Sequence, residues 1–574
     1  MMFPSCFVTS TGISLPSEGG KKNIPELLNS AGCRILFLMH PPVPGRPVTP
    51  EAAAAWASAY TGKTVTPSKI RYLIQYGRLR RHSDGDAGGT LVDLAELASY
   101  YREQREHRTA WQEQLGDDLN WDLSFDQCSE TETTKHVHRL HPYKGKFIPQ
   151  LVEYFLDDHT DAFKTGVFFR RGDIVLDPFM GSGTTLVQAA EMGLHAVGID
   201  ISAFNCMIVR AKFTNGDLIR IGSSLRAARA GTEAFSRRNF DDACDRELKK
   251  SLAAFNAVHF PPTLFRRRIH GKPEEEQAYG EERLALFLCE NASVAAKDET
   301  RDDVRLIDED GVAGFLSEWF SPRIRQEMAC YLRLIDGVPD EDARTLMRII
   351  LSRTARSCRA TTHYDLATLK ERQVGPYYCY KHKKLCTPIG SICKHLRKNT
   401  LDTIARLEAF AALRQDVQVA VLHGDARTID IPEAVRAEDP AFADRIATRQ
   451  IDGVFTSPPY VGHIDYHEQH AYAYELFGIP RRDAEEIGSL SSGTGRAARR
   501  QYVAGVARVL ANVAQFVRDD GNFFIVANDK FDLYPAIARE SGLAIADRYK
   551  RPVLNRTARD RRPYAEFIFR MVKR

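Results

Sequence analysis

Two short segments carry residues whose types and spacing point to chemistry. The first is Asp177-Pro178-Phe179-Met180-Gly181-Ser182-Gly183-Thr184-Thr185, which ends one apolar run and opens a helical pattern, Thr184 to Met192. Glycines at such a place let the backbone approach a ligand closely, and the helix start offers free N–H groups. Asp200 closes the next apolar run, His195 to Ile201. An acid at that position can accept hydrogen bonds from both hydroxyls of a ribose. No GxxxxGK[ST] segment is present, which argues against a triphosphate cradle and for a nucleoside ligand. The second segment is Thr456-Ser457-Pro458-Pro459-Tyr460, again just after an apolar run, Ile451 to Phe455. Two prolines fix the backbone and remove two N–H donors. What remains is a row of carbonyls, the Ser457 hydroxyl and the aromatic face of Tyr460. That set suits a planar base with an exocyclic amine, because the oxygens accept from the amine and the ring stacks.

These loops need a scaffold that holds them at one edge. Strand, glycine loop, helix and strand over 173–201 read as a βαβ unit of a parallel sheet. The pattern stops near Asn205 and resumes with strands at Gln418–His423 and Ile451–Phe455. A helix at Gln501–Phe516, a strand at Asn522–Asn528, a helix at Pro535–Glu540 and closing strands at Ala544–Val553 and Glu566–Val572 follow. The expected fold is therefore α/β, a Rossmann-like sheet split by a mostly helical insertion over 205–415. Upstream, residues 1–48 read as a flexible leader rich in Gly, Pro and Ser. Over 49–105 the pattern predicts a helix at Glu51–Tyr60 capped by Thr49, then a second helix at Ser68–Tyr76. A turn at Asp84–Gly89 and a helix at Leu91–Tyr101 complete this segment. The order resembles the winged helix-turn-helix of excisionase and MerR-like proteins. That resemblance implies DNA contacts through Ser68, Lys69, Arg71 and Tyr72 in the second helix and Arg78, Arg80 and Arg81 in the wing.

The two chemical motifs, in this order, resemble those of amino-group DNA methyltransferases, which methylate cytosine N4 or adenine N6 with S-adenosylmethionine. DPFMGSGTT matches that family's cofactor loop and TSPPY its catalytic loop. His141-Pro142-Tyr143-Lys144-Gly145-Lys146-Phe147 with Pro149 resembles the upstream motif that holds the methionine end of the cofactor. The resemblance implies cofactor contacts at His141, Asp177, Phe179, Gly181, Gly183 and Asp200, and at Asp425 near the adenine. It implies catalytic roles for Ser457, Pro458, Pro459 and Tyr460. The catalytic domain is then 134–204 with 416–574, and the 205–415 insertion is the target-recognition region. Serine before the prolines, rather than Asp or Asn, favours cytosine N4 over adenine N6. A tRNA guanine methyltransferase would carry an upstream RNA-binding domain, and a dead DNA-binding regulator would have lost the glycines or SPPY; neither pattern is seen. Double-stranded DNA is the implied substrate, and a cognate restriction or defence protein the implied partner.

Composition sets the outer bounds. With 43% hydrophobic and 27% charged residues among 574, the chain is globular rather than disordered. Against 75 acidic residues stand 79 Lys and Arg, so a nucleic-acid surface must come from local patches. No apolar run reaches the roughly 20 residues of a membrane span. The 11 cysteines are few and irregularly spaced, which excludes a disulfide scaffold and predicts reduced thiols in a cytoplasmic protein. Arg353 to Lys398 interleaves basic residues with Tyr364, Tyr377, Tyr378 and Tyr380, a nucleic-acid footprint. The same stretch holds Cys379, His382, Cys386, Cys393 and His395. Their spacing matches no common zinc finger, so buried thiols and no metal are expected.

Overall fold

Each apolar run read from the sequence becomes a strand, and the order in which they pair decides what meets what. A computed structural model gives the fold and describes residues 47–62, 65–75, 78–83, 90–116, 118–125, 128–161, 163–292, 314–365, 369–553 and 563–574. The expected leader, apart from its last two residues, and the Asp84–Gly89 turn lie outside these. The chain divides into two units, 1–107 with 262–267, and 108–261 with 268–574.

In the first unit, α1 (Pro50–Thr61) begins with Thr49, whose hydroxyl accepts the Ala52 N–H at 3.3 Å. α2 (Pro67–Gln75) follows, then a short antiparallel pair, β1 (His82–Ser83) with β2 (Thr90–Leu91), and α3 (Leu94–Leu115), of which residues 94–107 belong to this unit. Trp56, Ile70, Leu73, Leu79, Val92 and Leu97 form its core. The element order is the expected one, but α3 starts later and runs longer than Leu91–Tyr101. Arg71, expected on DNA, pairs with Glu51 of α1.

The second unit holds β3 (Ile174–Asp177), β4 (His195–Asp200), β5 (Tyr377–Cys379), β6 (Lys384–Cys386), β7 (Val419–His423), β8 (Ile451–Thr456), β9 (Val517–Ala527), β10 (Leu543–Pro552) and β11 (Ala565–Lys573). Seven of these strands form one sheet in the order β10-β11-β9-β8-β3-β4-β7. The β9-β8-β3-β4-β7 pairings are parallel, and β11 and β10 are added antiparallel. Ile174 and Leu176 face one apolar layer and Val175 the other, as the two-residue strand period requires. Every residue of β3 and β8 is buried, as expected for parallel strands covered on both faces.

Helices α4 (Pro149–Leu156), α5 (Thr184–Met192) and α6 (Ala203–Lys212) cover the sheet near β3 and β4. The insertion follows as α7 (Leu218–Asn239), α8 (Ala243–His259), α9 (Pro273–Glu290), α10 (Pro322–Asp336), α11 (Glu341–Cys358) and α12 (Cys393–Ala411). α13 (Arg496–Ala514) and α14 (Tyr534–Glu540) cover the other face.

Two expected boundaries move. Residue 205 falls inside α6, whose Cys206 and Val209 pack with strand residues Val175 and Val421, so the sheet domain keeps that helix. The insertion also shares one core with the catalytic helices: Leu225, Met328, Leu346 and Leu396 pack with Val187 of α5 and Phe204 and Ile208 of α6. At the other end the larger unit starts before 134, because Leu119 bridges Lys550 and the Asn120 N–H donates to the Lys550 carbonyl at 2.8 Å. Among the described residues no helix is long and apolar enough to cross a membrane.

Gly453 lies within β8, where an added Cβ would stand 2.6 Å from the Asn522 carbonyl oxygen and 2.8 Å from the Phe169 ring. Gly453→Ala is expected to cost roughly 1–3 kcal/mol through overpacking. Thermal unfolding of the full chain checks this, and an unchanged Tm counts against the strand packing described.

Candidate active site

β3 lies between β4 and β8, so the chain leaves β3 on one side and returns on the other. That is a switch point, where parallel sheets open a crevice at their carboxyl edge. The glycine loop leaves β3 there and the TSPPY loop leaves β8 beside it. Asp177, the last residue of β3, ties them together. Its Oδ1 accepts the Phe179 N–H at 3.1 Å and the Thr456 hydroxyl at 2.6 Å. Thr185 of α5 adds a hydroxyl bond to the Phe455 carbonyl at 3.2 Å. Burial pushes the Asp177 carboxyl up to about 6, against the pull of these donors.

The loop between Asp177 and α5 needs left-handed backbone. Gly181 has φ +48°, and a Cβ there would lie 3.0 Å from the Tyr143 hydroxyl. Gly183 has φ +73°, and its Cβ would lie 2.8 Å from Val209 of α6. Gly181 therefore lines the cavity, whereas Gly183 seats α5 against α6 and is not part of the cavity wall. Beneath the loop, fully buried Lys212 donates to the Ser182 carbonyl. Burial drives its ammonium well below the ordinary lysine range.

Asp200 is more occupied than its position in the sequence implies. Its Oδ1 accepts the Ser202 N–H at 2.8 Å and the Asn205 amide at 3.1 Å, and its Oδ2 accepts the Gly181 N–H at 2.9 Å. A carboxylate offers about four acceptor sites, so at most one remains for a ribose hydroxyl rather than the expected two. Burial pushes this carboxyl up to about 6. Asp425 accepts the Arg427 guanidinium at 2.9 Å on both oxygens. Desolvation raises its pKa, but the Arg427 bonds outweigh that and hold it below the ordinary carboxylate value.

A cavity of about 920 Å³, counted with its open mouth, sits over these groups. Asp177, Phe179, Gly181, Asp200, Asp425, Ser457 and Pro459 all line it. So do Tyr143, from the expected methionine-end motif, and Asn205, Tyr466 and Glu486. Tyr143 stacks on Tyr466 with ring centroids 5.8 Å apart, and its hydroxyl accepts the Asn205 amide at 3.2 Å. The signal for Tyr143 was its place two residues after His141. His141 itself is not in the wall. Its buried ring donates from Nδ1 to the Pro142 carbonyl at 2.9 Å and meets the Ser352 hydroxyl with Nε2 at 3.0 Å. Burial drives its pKa well below the ordinary value, so it is a neutral brace for the Tyr143 loop.

The cavity wall is acidic. Asp177, Asp200, Asp425, Glu485 and Glu486 line it against Lys146 and His467. Three buried wall atoms, Ser182 Oγ, Asn205 Oδ1 and His467 Nε2, have no hydrogen-bond partner among the described residues.

A second, wider cleft of about 3240 Å³ adjoins it. Pro458, Tyr460, His463 and Lys144 line it, with Phe315, Arg359 and Leu369 from the insertion. Ser457 lines both spaces. The Tyr460 hydroxyl donates to Glu566 at 3.0 Å, and Glu566 also pairs with Arg551 at 3.2 Å, which fixes the tyrosine ring on the cleft side. The basic Arg353–Lys398 stretch is only partly available to a partner. Arg353 pairs with Asp402 at 2.5 Å, Lys383 with Glu276 at 2.6 Å and Arg397 with Glu233 at 3.0 Å.

A mostly parallel seven-stranded sheet with these two loops at its switch point defines the class: an α/β methyltransferase fold. Comparison with known proteins narrows it. The family model described as DNA methylase matches residues 74–210. The Type II methyltransferase M.MjaII of Methanocaldococcus jannaschii is 46% identical over 512 residues, covering 89% of this chain and 94% of that protein. The Type II methyltransferase M.MvaI of Kocuria varians is 38% identical over 84 residues, 15% of this chain and 17% of that one. M.BsoBI of Geobacillus stearothermophilus, also a Type II methyltransferase, is 32% identical over 72 residues, 12% and 13% of the two chains. No solved structure matches the chain. The chain belongs to the amino-group DNA methyltransferases of the type II family.

Asp177 offers a test of the site's electrostatics. Its carboxyl stands at about 6 in the folded chain against an ordinary 3.8. Its contribution to stability is then fully present below pH 3.8 and lost as pH rises through about 6. Asp177→Asn keeps the Oδ1 acceptor and removes the charge. The variant's Tm, relative to the parent, should rise between about pH 4 and about pH 7. A difference independent of pH would show that Asp177 is not destabilised by burial.

Proposed function

We propose that this chain transfers a methyl group to the exocyclic N4 amine of cytosine in double-stranded DNA, with S-adenosylmethionine as donor. The observation that carries the reading is Ser457, which stands where the acidic cavity opens to the wide cleft. A donor in one and a base in the other meet at that side chain. The cavity suits the donor: its carboxylates favour a cationic sulfonium and ammonium, and Ser182 Oγ and Asn205 Oδ1 await partners. Asp177, Phe179, Gly181, Asp200 and Asp425 would hold the cofactor, joined by Tyr143. Gly183 and His141 act through the loops they brace. The cofactor, when bound, supplies a methyl group already activated on sulfur.

The residues of the chain prepare the amine. The Ser457 hydroxyl and the Pro458 carbonyl accept its N–H groups and localise a lone pair that the ring otherwise delocalises. Pro459 holds the loop rigid from the cavity side. Tyr460, pinned through Glu566, stacks on a base taken out of the duplex. Such prior positioning supplies much of the rate. A neutral serine before the prolines supports cytosine, and the same pocket with adenine N6 is the second reading. Kinship with type II enzymes points to restriction–modification, with a cognate endonuclease as partner.

Incubation of the full chain with S-adenosylmethionine and DNA, followed by nucleoside mass spectrometry, should yield N4-methylcytosine. N6-methyladenine instead would transfer the assignment to the second reading, and neither product would overturn both. Ser457→Ala should lower methyl transfer roughly a hundredfold, the scale of one lost pre-positioned hydrogen bond. Cofactor affinity by calorimetry should stay unchanged, and a parallel loss there would remove Ser457 from the base side.

The insertion is the better-supported reader of the target, because Phe315, Arg359 and Leu369 reach the cleft that Ser457 opens onto. The 49–105 module then supplies phosphate contacts through Lys69, Arg80 and Arg81. Replacing these three with Ala should lower DNA affinity and flatten its salt dependence by about one unit of slope for each phosphate left unneutralised. The methylated sequence should not change. A relaxed or altered sequence, read by sequencing modified bases, would move target recognition to the N-terminal module.

A further inference from the structure

The insertion carries a cluster that the proposed reaction does not use. β5 ends at Cys379 and β6 at Cys386, with His382 in the turn between them. His363 arrives from the segment after α11. One ligand atom of each of these four residues lies within 4.8 Å of all the others. His382 Nδ1 is 3.4 Å from Cys386 Sγ, and His363 Nδ1 is 3.9 Å from Cys379 Sγ. A tetrahedral zinc ion with Zn–S about 2.3 Å and Zn–N about 2.0–2.1 Å sets its N and S ligands about 3.6 Å apart. The observed separations straddle that value. The His382 N–H also donates to Cys379 Sγ at 3.4 Å, a bond that a thiolate ligand strengthens.

The surroundings agree with a staple. Each strand of the hairpin has only three residues, too few to hold by pairing alone. The rest of the scaffold grips it from one side. The Asn256 side chain on α8 clamps Leu385 with two bonds of 3.0 Å, and buried Glu276 on α9 takes Lys383 and the Tyr378 hydroxyl. Lys383 turns the chain with φ +56°, which brings His382 back towards both cysteines.

We propose that His363, Cys379, His382 and Cys386 bind one zinc(II) ion in a closed, structural two-sulfur, two-nitrogen site. Four protein ligands leave no position open for a substrate. Binding forms two zinc–sulfur bonds and releases the two thiol protons to solvent, with no change of oxidation state. The Tyr377 hydroxyl, 2.7 Å from His363 Nδ1, yields that contact to the ion and keeps the His363 N–H donor at 3.2 Å. Cys393 and His395, neighbours in sequence, lie on α12 and outside the cluster.

Elemental analysis of the reduced full chain, purified with zinc and without chelator, should find a single zinc per chain. Cobalt(II) in its place should show thiolate-to-cobalt charge transfer and the strong visible bands of a tetrahedral site. Cys379→Ser and Cys386→Ser should each lose those bands and most of the zinc, while Cys393→Ala keeps both. Absence of zinc and of thiolate–cobalt bands in the parent chain would overturn the site, whatever the variants do. Loss of metal in Cys393→Ala equal to that in Cys379→Ser would overturn the ligand set. Neither measurement depends on methyl transfer.

Discussion

The site depends on one buried hydrogen bond, from the Thr456 hydroxyl to Asp177, which joins loops 279 residues apart in the chain. Neither loop could keep its geometry on its own. The glycine loop has two left-handed residues, and the TSPPY loop lacks two N–H donors. The bond is possible because β3 and β8 are neighbours in the sheet, with Val175 opposite Gly453 and Leu176 opposite Val454. With the loops so joined, the cavity over the glycine loop and the cleft beyond the prolines share a wall, and Ser457 is in that wall.

Holding the loops in place buries charge. Asp177 and Asp200 are raised by burial, and Lys212 is lowered by it, so each favours its neutral form more than in water. Their hydrogen bonds offset part of that cost. Asp200 shows the trade directly: the three donors that fix Gly181, Ser202 and Asn205 leave little of its carboxylate for a ligand. Those three bonds shape the loop. The same division separates Gly181, which lines the cavity, from Gly183, which packs against a helix.

The insertion belongs to the same packing. Its long helices share one apolar core with α5 and α6, the helices that follow the glycine loop and Asp200. Ser352 from α11 reaches His141, which in turn braces the Tyr143 loop. The insertion is therefore in direct contact with the segment that places Tyr143 in the cavity wall. The β5–β6 hairpin is held instead by α8 and α9, through Asn256 and Glu276.

What was legible in the sequence was local. Runs of buried residues with turn chemistry at their ends marked β3, β4, β7 and β8, and Thr49 marked the start of α1. The two loop motifs were legible because glycine, proline and serine at fixed spacing are chemical requirements that packing does not alter. Side-chain direction was not legible. His141 and Gly183 sit within motif segments, yet the His141 ring is held by Ser352 and the backbone of Gly183 packs closely on Val209, both from other elements. The limits of the insertion were hidden for the same reason, since its helices bury their apolar faces against the catalytic ones. His363 could not be joined to Cys379, His382 and Cys386 from spacing, because it lies on a separate segment that only the folded chain brings beside the hairpin. Local pattern chooses the elements; contacts between distant segments choose which side chains meet.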